Sequence, residues 1–341
     1  MESLTESINR LCPLDWIRKT GDKDMHQSEI FSPIFFFCDK MFFGTNTISV
    51  RGGQMIQDLG ERRLYNQFEH RQAEPEDRVF VFNDRRQILV REEQQAGGLT
   101  VPKAARFAGR ELQYLFRIEE DGYFLLTEPA EEQIGKLLEE GFFWKAARDL
   151  RELAFKELAF AASTAHHLYQ WYQDSRFCGR CGAKTVHDEK ERMMRCPSCG
   201  NTIYPKIAPA VIVGVINDNK ILLTKYNGRV YKKYALIAGF TEIGETAEET
   251  VAREVMEEAG LSVKDITYYK SQPWGTDSNL LLGFFCRLDG DDTITMDREE
   301  LSVAEWVKRD DMDIRDDGIS LTREMMRVFK EGEVELCTTS L

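Results

Sequence analysis

No apolar run in this sequence is long enough to cross a bilayer. The nearest candidate, PIFFFCDKMFF at Pro33 to Phe43, is short, is interrupted by polar residues, and reads as a buried strand. The opening residues, MESLTESINRLCPLDW, lack a basic start followed by an apolar stretch, so neither a signal peptide nor an anchor is expected and the cytoplasm is the expected location. Positive charge is scarce. Lys and Arg number 45 against 58 Asp and Glu, leaving −13, and this excludes a general polyanion binder, whose affinity comes from neutralising phosphates with cationic side chains. Low-complexity linkers are absent, so domains must join through structured segments. Cysteine is thin outside one stretch. Cys12, Cys38, Cys286 and Cys337 are scattered as reduced thiols would be, which fits no disulfide framework.

What is present supports two or three folded units, since 341 residues with 42% hydrophobic composition exceed one ordinary domain. From residue 1 to 128, short apolar runs alternate with turn signals: TISVRGGQMI, RVFVFNDRRQILV and YLFRIEEDGYFLL, whose Asp121-Gly122 marks a hairpin, predict an α+β domain. Residues 129–175 turn helical, with apolar residues at three- and four-residue spacing, and should link this domain to the second half of the chain. One pattern occurs twice. VFVFNDRRQILV at Val79 to Val90 resembles VIVGVINDNKILL at Val211 to Leu223, each an apolar strand, an Asn-Asp turn and a returning strand. Chance recurrence of a common hairpin accounts for this equally well as a second copy of one domain.

The stretch GETAEETVAREVMEEAGL, Gly244 to Leu261, carries six glutamates in eighteen residues of expected helix. A solvated acidic face is the ordinary reading of such a run. This one has internal order. Thr246 and Glu249 form a capping box, Gly260 is a stop signal, and Val251, Val255 and Ala259 give a buried stripe. Glu254, Glu257 and Glu258 then stand at i, i+3, i+4 on one face, where like charges repel unless cations sit among their oxygens. Hard divalent ions such as Mg²⁺ or Mn²⁺ suit carboxylate oxygen, so this face is a candidate metal site.

Upstream, Cys178, Cys181, Cys196 and Cys199 form two Cys-x-x-Cys knuckles. Each turns two thiolates toward one point, and two knuckles close a tetrahedral site for a structural Zn²⁺. Two disulfides, or a redox pair using one knuckle, are the alternatives; neither accounts for the doubled spacing. His187, between the knuckles, reads as a surface histidine with four cysteines available.

From Gly239 to Leu261 the chain resembles the Nudix box, Gly-x5-Glu-x7-Arg-Glu-U-x-Glu-Glu-x-Gly-U with U aliphatic, at Gly239, Glu245, Arg253, Glu254, Val255, Glu257, Glu258, Gly260 and Leu261. With the cysteine knuckles ahead of it, CGNTIYPKIAPAVIVGVI from Cys199 and SQPW at Ser271 to Trp274, the segment from about Ala165 to Phe329 is similar to the NADH pyrophosphatase, or NudC-type, family. The resemblance implies a zinc ribbon at 176–202 and a Nudix domain at 203–341, an α/β/α sandwich around a mixed sheet. It also implies that the N-terminal domain is a degenerate Nudix-like copy lacking the box.

The activity implied is hydrolysis of NAD(H) to nicotinamide mononucleotide and AMP, and removal of NAD caps from RNA 5′ ends, which bulk charge does not exclude. Glu254, Glu257, Glu258 and a late glutamate, Glu300, would hold Mg²⁺ or Mn²⁺, with Glu258 the first choice of base and Arg253 orienting Glu245. Phe240 and Tyr204 match nucleotide-contacting aromatics, and Gln272, Trp274 and Asn279 join the substrate-binding set. The family resemblance further implies a homodimer in which Trp274 of one chain stacks on the ring held by Phe240 of the other. One departure stands out: the family follows SQPW with Pro-Phe-Pro, whereas this chain has Gly275, Thr276 and Asp277, for which a looser loop is expected. Other nucleoside diphosphates such as ADP-ribose or diadenosine polyphosphates are therefore alternative substrates. A non-enzymatic nucleotide sensor is disfavoured by the intact box.

Overall fold

In a computed structural model of the chain, residues 55–93, 98–128, 130–153, 155–228, 233–314, 317–334 and 336 are described. The apolar stretch 33–43, most of TISVRGGQMI, and Cys12, Cys38 and Cys337 lie outside them.

The first half contains β1 (Leu64–Tyr65), β2 (Arg78–Phe80), β3 (Gln87–Glu93), β4 (Gly98–Thr100), β5 (Leu112–Ile118), β6 (Asp121–Leu126), α1 (Glu131–Glu139), β7 (Phe143–Ala146), α2 (Leu150–Leu153) and α3 (Lys156–Asp174). Strands run β1-β5-β6-β2 in one sheet and β4-β3-β7 in another. The Asn-Asp turn joins the sheets: Asn83 Oδ1 accepts from the Arg85 and Gln87 N–H groups at 3.0 and 2.9 Å, and Leu89 N–H donates to the Val81 carbonyl at 3.0 Å. The expected β5-β6 hairpin forms, but its turn is Glu119-Glu120, with Glu119 at φ 49°. Gly122 lies inside β6. The Asp77 carboxylate occupies the space a side chain there would need, and its Oδ1 accepts from Gly122 N–H at 3.0 Å.

One face of these strands packs Phe80, Ile88, Leu115 and Phe116 against Ala161, Ala165, Leu168 and Trp171 of α3. The opposite face packs Val79, Val81, Phe107 and Phe124 with Ala130 and Leu137 at α1. The helices of 129–175 therefore complete the N-terminal core, and α3 also reaches forward: Ala159 and Phe160, on its other side, pack with Ile56 and Ile319.

Three short strands, β8 (Val186–His187), β9 (Met194–Arg195) and β10 (Thr202–Ile203), form the ribbon. Beyond it come β11 (Ala208–Asn217), β12 (Lys220–Tyr226), β13 (Ile237–Phe240), α4 (Ala247–Ala259), β14 (Val263–Trp274), β15 (Asn279–Leu288), β16 (Leu301–Lys308) and α5 (Leu321–Lys330). The sheet order is β14-β15-β11-β12-β16, with β13 pairing β11 and with β11 parallel to β15. Alternation along β11 sorts the faces: Val211, Val213 and Val215 meet Val251, Val255 and Ala259 of α4, while Ile212 and Ile216 meet Leu321, Met325 and Phe329 of α5. A mixed sheet between two helices is the α/β/α sandwich expected.

The echo in sequence is a repeat in topology. Going β5-β6-β2-β3-β7, neighbours are antiparallel, parallel, antiparallel and antiparallel, as they are along β14-β15-β11-β12-β16. Where the second half places α4, the first has a single 3-10 turn, Ala104–Phe107, without an acid. No helix among the described residues is long and apolar enough to cross a membrane.

Candidate active site

Helix α4 begins and ends where its sequence dictates. Thr246 Oγ1 accepts from Glu249 N–H at 3.2 Å while the Glu249 carboxylate accepts from Thr246 N–H at 2.8 Å, and Gly260 closes the helix at φ 69°. Val251, Val255 and Ala259 are wholly buried, which turns Glu254 and Glu258 inward beside them at 9% and 2% exposure. Glu257 remains exposed. The box glycine Gly239 has a steric reason: the Glu254 carboxylate lies against its backbone, in the space a Cβ would fill.

Arg253 ties these acids together. Its Nε and one terminal nitrogen bond the two oxygens of Glu245 at 2.6 and 3.0 Å, the latter nitrogen also bonds the Phe240 carbonyl at 2.9 Å, and the other reaches Glu254 and Glu257 at 2.8 and 2.9 Å. Glu245 accepts as well from Glu242 N–H at 3.1 Å and from the Thr250 hydroxyl at 3.0 Å. These bonds, the Arg253 bond first, hold the Glu245 carboxyl down at about 2. Glu254 moves the other way. Burial raises it against the pull of Arg253, and the nearby Glu257 and Glu300 charges add to the rise. Two carboxylates of the box thus differ in environment: Glu245, just ahead of α4, is held as an anion by its partners, whereas burial disfavours the charged form of Glu254. Carboxylate oxygens are hard donors of the kind Mg²⁺ or Mn²⁺ takes, so a divalent cation would offset the burial of Glu254.

The four cysteines converge as their spacing predicts. Their sulfur atoms all lie within 4.8 Å of one another, with Cys178 to Cys199 at 3.6 Å and Cys181 to Cys196 at 3.4 Å, close to the edge lengths of a tetrahedral thiolate site. The two knuckles match in detail. Gly182 N–H donates to the Cys178 carbonyl at 2.8 Å and Gly200 N–H to the Cys196 carbonyl at 3.0 Å, with both glycines at positive φ. Among the described residues this is the one set of three or more candidate ligands so gathered; the α4 carboxylates are not, since Arg253 stands between Glu254 and Glu257. His187 is no ligand. It stacks on Phe68 at 4.7 Å, its Nε2 meets the Tyr172 hydroxyl at 3.0 Å, and it thereby docks the ribbon on the N-terminal domain.

The expected substrate residues fare differently. Phe240 and Tyr204 are exposed, the latter donating its hydroxyl proton to Glu191 at 2.7 Å. Gln272 is fully buried and its amide is engaged within the chain: the nitrogen donates to the Ile319 carbonyl at 2.7 Å and to Gln57 at 3.1 Å, and the oxygen accepts from Leu321 N–H at 2.8 Å, capping α5. Trp274 is half-buried, with its Nε1 donating to Asp277 at 2.8 Å and the Arg151 guanidinium 4.5 Å from its ring centre. Asn279 opens β15 opposite Trp274. The loop between them is not loose. Asp277 N–H donates to the Trp274 carbonyl at 3.2 Å, and the missing side chain of Gly275 lets the turn seat directly on α3. Thr250 and the α3 contacts carried no sequence signal: the first resembles any helical threonine, and the second lies a hundred residues away.

A NUDIX domain model matches residues 206–329, and an NADH pyrophosphatase zinc ribbon domain model matches residues 173–204. The NAD-capped RNA hydrolase NudC of Escherichia coli O9:H4 (strain HS) is 36% identical over 170 residues, 50% of this chain and 64% of that protein. The protein of the same name from Shigella boydii serotype 18 (strain CDC 3083-94 / BS512) matches to the same extent, 36% over 170 residues. The chain thus spans 64% of the length of these relatives. Among solved structures, a NUDIX hydrolase from Nitrosomonas europaea aligns with a TM-score of 0.39 at 25% identity, covering 46% of this chain and 91% of that one. Motifs, sheet order and matched models agree: the chain carries a NUDIX domain preceded by a zinc ribbon of the NADH pyrophosphatase kind.

Proposed function

We propose that this protein is a metal-dependent pyrophosphatase that hydrolyses NAD(H) to nicotinamide mononucleotide and AMP, and that it also accepts the NAD cap of an RNA 5′ end. The observation that carries the reading is the Arg253 hub, which fixes Glu245 and aligns Glu254 and Glu257 on the face that also carries Glu258. The relatives' name, NAD-capped RNA hydrolase, and the ribbon type favour the nicotinamide dinucleotide over other nucleoside diphosphates.

Glu254, Glu257, Glu258 and Glu300 would hold Mg²⁺ or Mn²⁺, and Cys178, Cys181, Cys196 and Cys199 a structural Zn²⁺. The divalent ion supplies positive charge against the phosphate oxygens and acidity to the attacking water. The chain's own residues do the rest. Glu258, buried at the base of the helix, takes the water proton as the new P–O bond forms and the bridging P–O bond breaks, giving two monophosphates. Arg253 and Glu245 hold the box loop, and Phe240 on it, in register with α4. Zinc thiolates suit a reducing compartment, the cytoplasm.

Within one chain, Phe240 and Trp274 lie on strands separated by β11 and β15. Register places Phe240 opposite Ala210, Leu281 and Gln272 in turn, so Trp274 stands three strands over and two residues along, roughly 15 Å away at ordinary sheet spacing. Rings stacked on both faces of a third stand about 7 Å apart, so both side chains of one chain would have to lean toward each other across the sheet to share a ligand. This favours a homodimer in which the partner subunit brings its own tryptophan to each site.

Purified protein supplied with Mn²⁺ or Mg²⁺ and a panel of NADH, NAD⁺, ADP-ribose, diadenosine polyphosphates and NAD-capped RNA tests the reading. Preferred cleavage of NADH and the capped RNA is expected. Preference for ADP-ribose or a diadenosine compound would replace the substrate and keep the chemistry, and tight binding without turnover would make the protein a sensor.

A further inference from the structure

The N-terminal domain meets the Nudix domain at the loop that carries Trp274. A Cβ on Gly275 would overlap the carbonyl of Ser163, which is backbone inside α3 and cannot turn aside. Three residues on, the Ser278 hydroxyl donates to Gln170 Oε1 at 3.1 Å, and Gln170 Nε2 lies 3.4 Å from His166 Nε2. Ser163, His166 and Gln170 are spaced i, i+3, i+7, so they form one stripe of α3, and the opposite stripe of Ala161, Ala165 and Leu168 is buried in the N-terminal core. Arg151 of α2 then covers one face of the Trp274 ring, and Asp277 fixes the indole N–H.

We infer that α3 is the seat of the 274–279 loop and that Gln170, with the close approach of Gly275 to Ser163, positions Trp274 for substrate, so the boxless N-terminal domain sets substrate affinity while taking no part in the chemistry. The inference rests on the proposed role of Trp274 in stacking on the dinucleotide. Gln170→Leu removes the acceptor for Ser278 and keeps an apolar side chain of similar length. Its expected result is faster amide hydrogen exchange over 275–278 and a KM for NADH raised about fivefold, the scale of one neutral hydrogen bond, with kcat changing by less than about twofold. Gln170→Glu, which keeps an acceptor oxygen, should restore both values. Ser278→Ala removes the same bond from the loop side, and carries the test should the α3 variant fold poorly. Faster exchange with KM unchanged would show that the loop does not meet substrate, and unchanged exchange would show that α3 does not hold it; either overturns the inference while NADH turnover by the parent protein stands. A parent protein inert on every dinucleotide defeats the proposed function and this assignment together.

Discussion

Arg253 makes five hydrogen bonds to four residues, and a lysine in its place keeps the charge but not the planar fork. Arg253→Lys should therefore lower kcat for NADH by at least ~10²-fold, in line with losing an oriented electrostatic group, while circular dichroism shows the fold intact. Near-normal turnover would mean that charge alone suffices. The partner acid gives a pH signature. Glu245 is brought from 4.5 to about 2 by Arg253, so the stability from this pair is complete above 4.5 and is lost as pH falls toward 2. Glu245→Gln should flatten the acid dependence of the urea midpoint between about pH 5 and about pH 3, and a parallel dependence in both proteins would show that the pair is not what titrates. At this scale the box was legible because its spacing is the chemistry: i, i+3, i+4 brings carboxylates together in any helix. Gln272 was not. A buried amide that caps a helix and a solvent-facing one that binds ligand look alike in sequence; only the fold puts Ile319, Gln57 and Leu321 around it.

Among elements, α4 and the cysteine knuckles were readable because each is closed by local signals, a cap box with its glycine stop in one case and a glycine after each Cys-x-x-Cys in the other. The seat of the 274–279 loop was not, because its determinants are split between Gly275 and an α3 carbonyl. Read locally, glycines in place of prolines mean freedom; in the folded chain the glycine permits contact. The ribbon gives the element-scale prediction. Its Arg192 enters the N-terminal domain, donating to the Leu115 and Asn66 carbonyls at 2.5 and 3.2 Å, so loosening the metal site frees more than the ribbon itself. Cys196→Ser should lower zinc content and the thermal midpoint together, with kcat of the remaining folded protein near the parent value. Aerobically purified parent protein free of zinc would remove the structural role, and a loss of kcat without a loss of stability would give the ribbon a place in catalysis.

At the scale of the whole molecule, one sheet order appears twice, and the sequence hinted at it only through the Asn-Asp hairpin, since the remaining strands share direction and neighbours but not residues. The N-terminal half, with a 3-10 turn where the second half has its acid helix, shows no carboxylate face there among the described residues and keeps a face of α3 for the neighbouring domain. Assembly is the remaining question, and subunit exchange answers it. Glu258→Gln and Trp274→Ala should each be nearly inactive as homodimers. If Trp274 acts in the partner's site, a mixed dimer has one site built from the intact Glu258 of one chain and the intact Trp274 of the other, and a second site lacking both. Turnover then reappears on mixing, at about half the parent value per dimer, as expected for one working site in two. If Trp274 acts in its own chain, both mixed sites lack one residue. No turnover then returns, and silence from mixtures whose heterodimers are confirmed by native mass spectrometry would rule out the shared site.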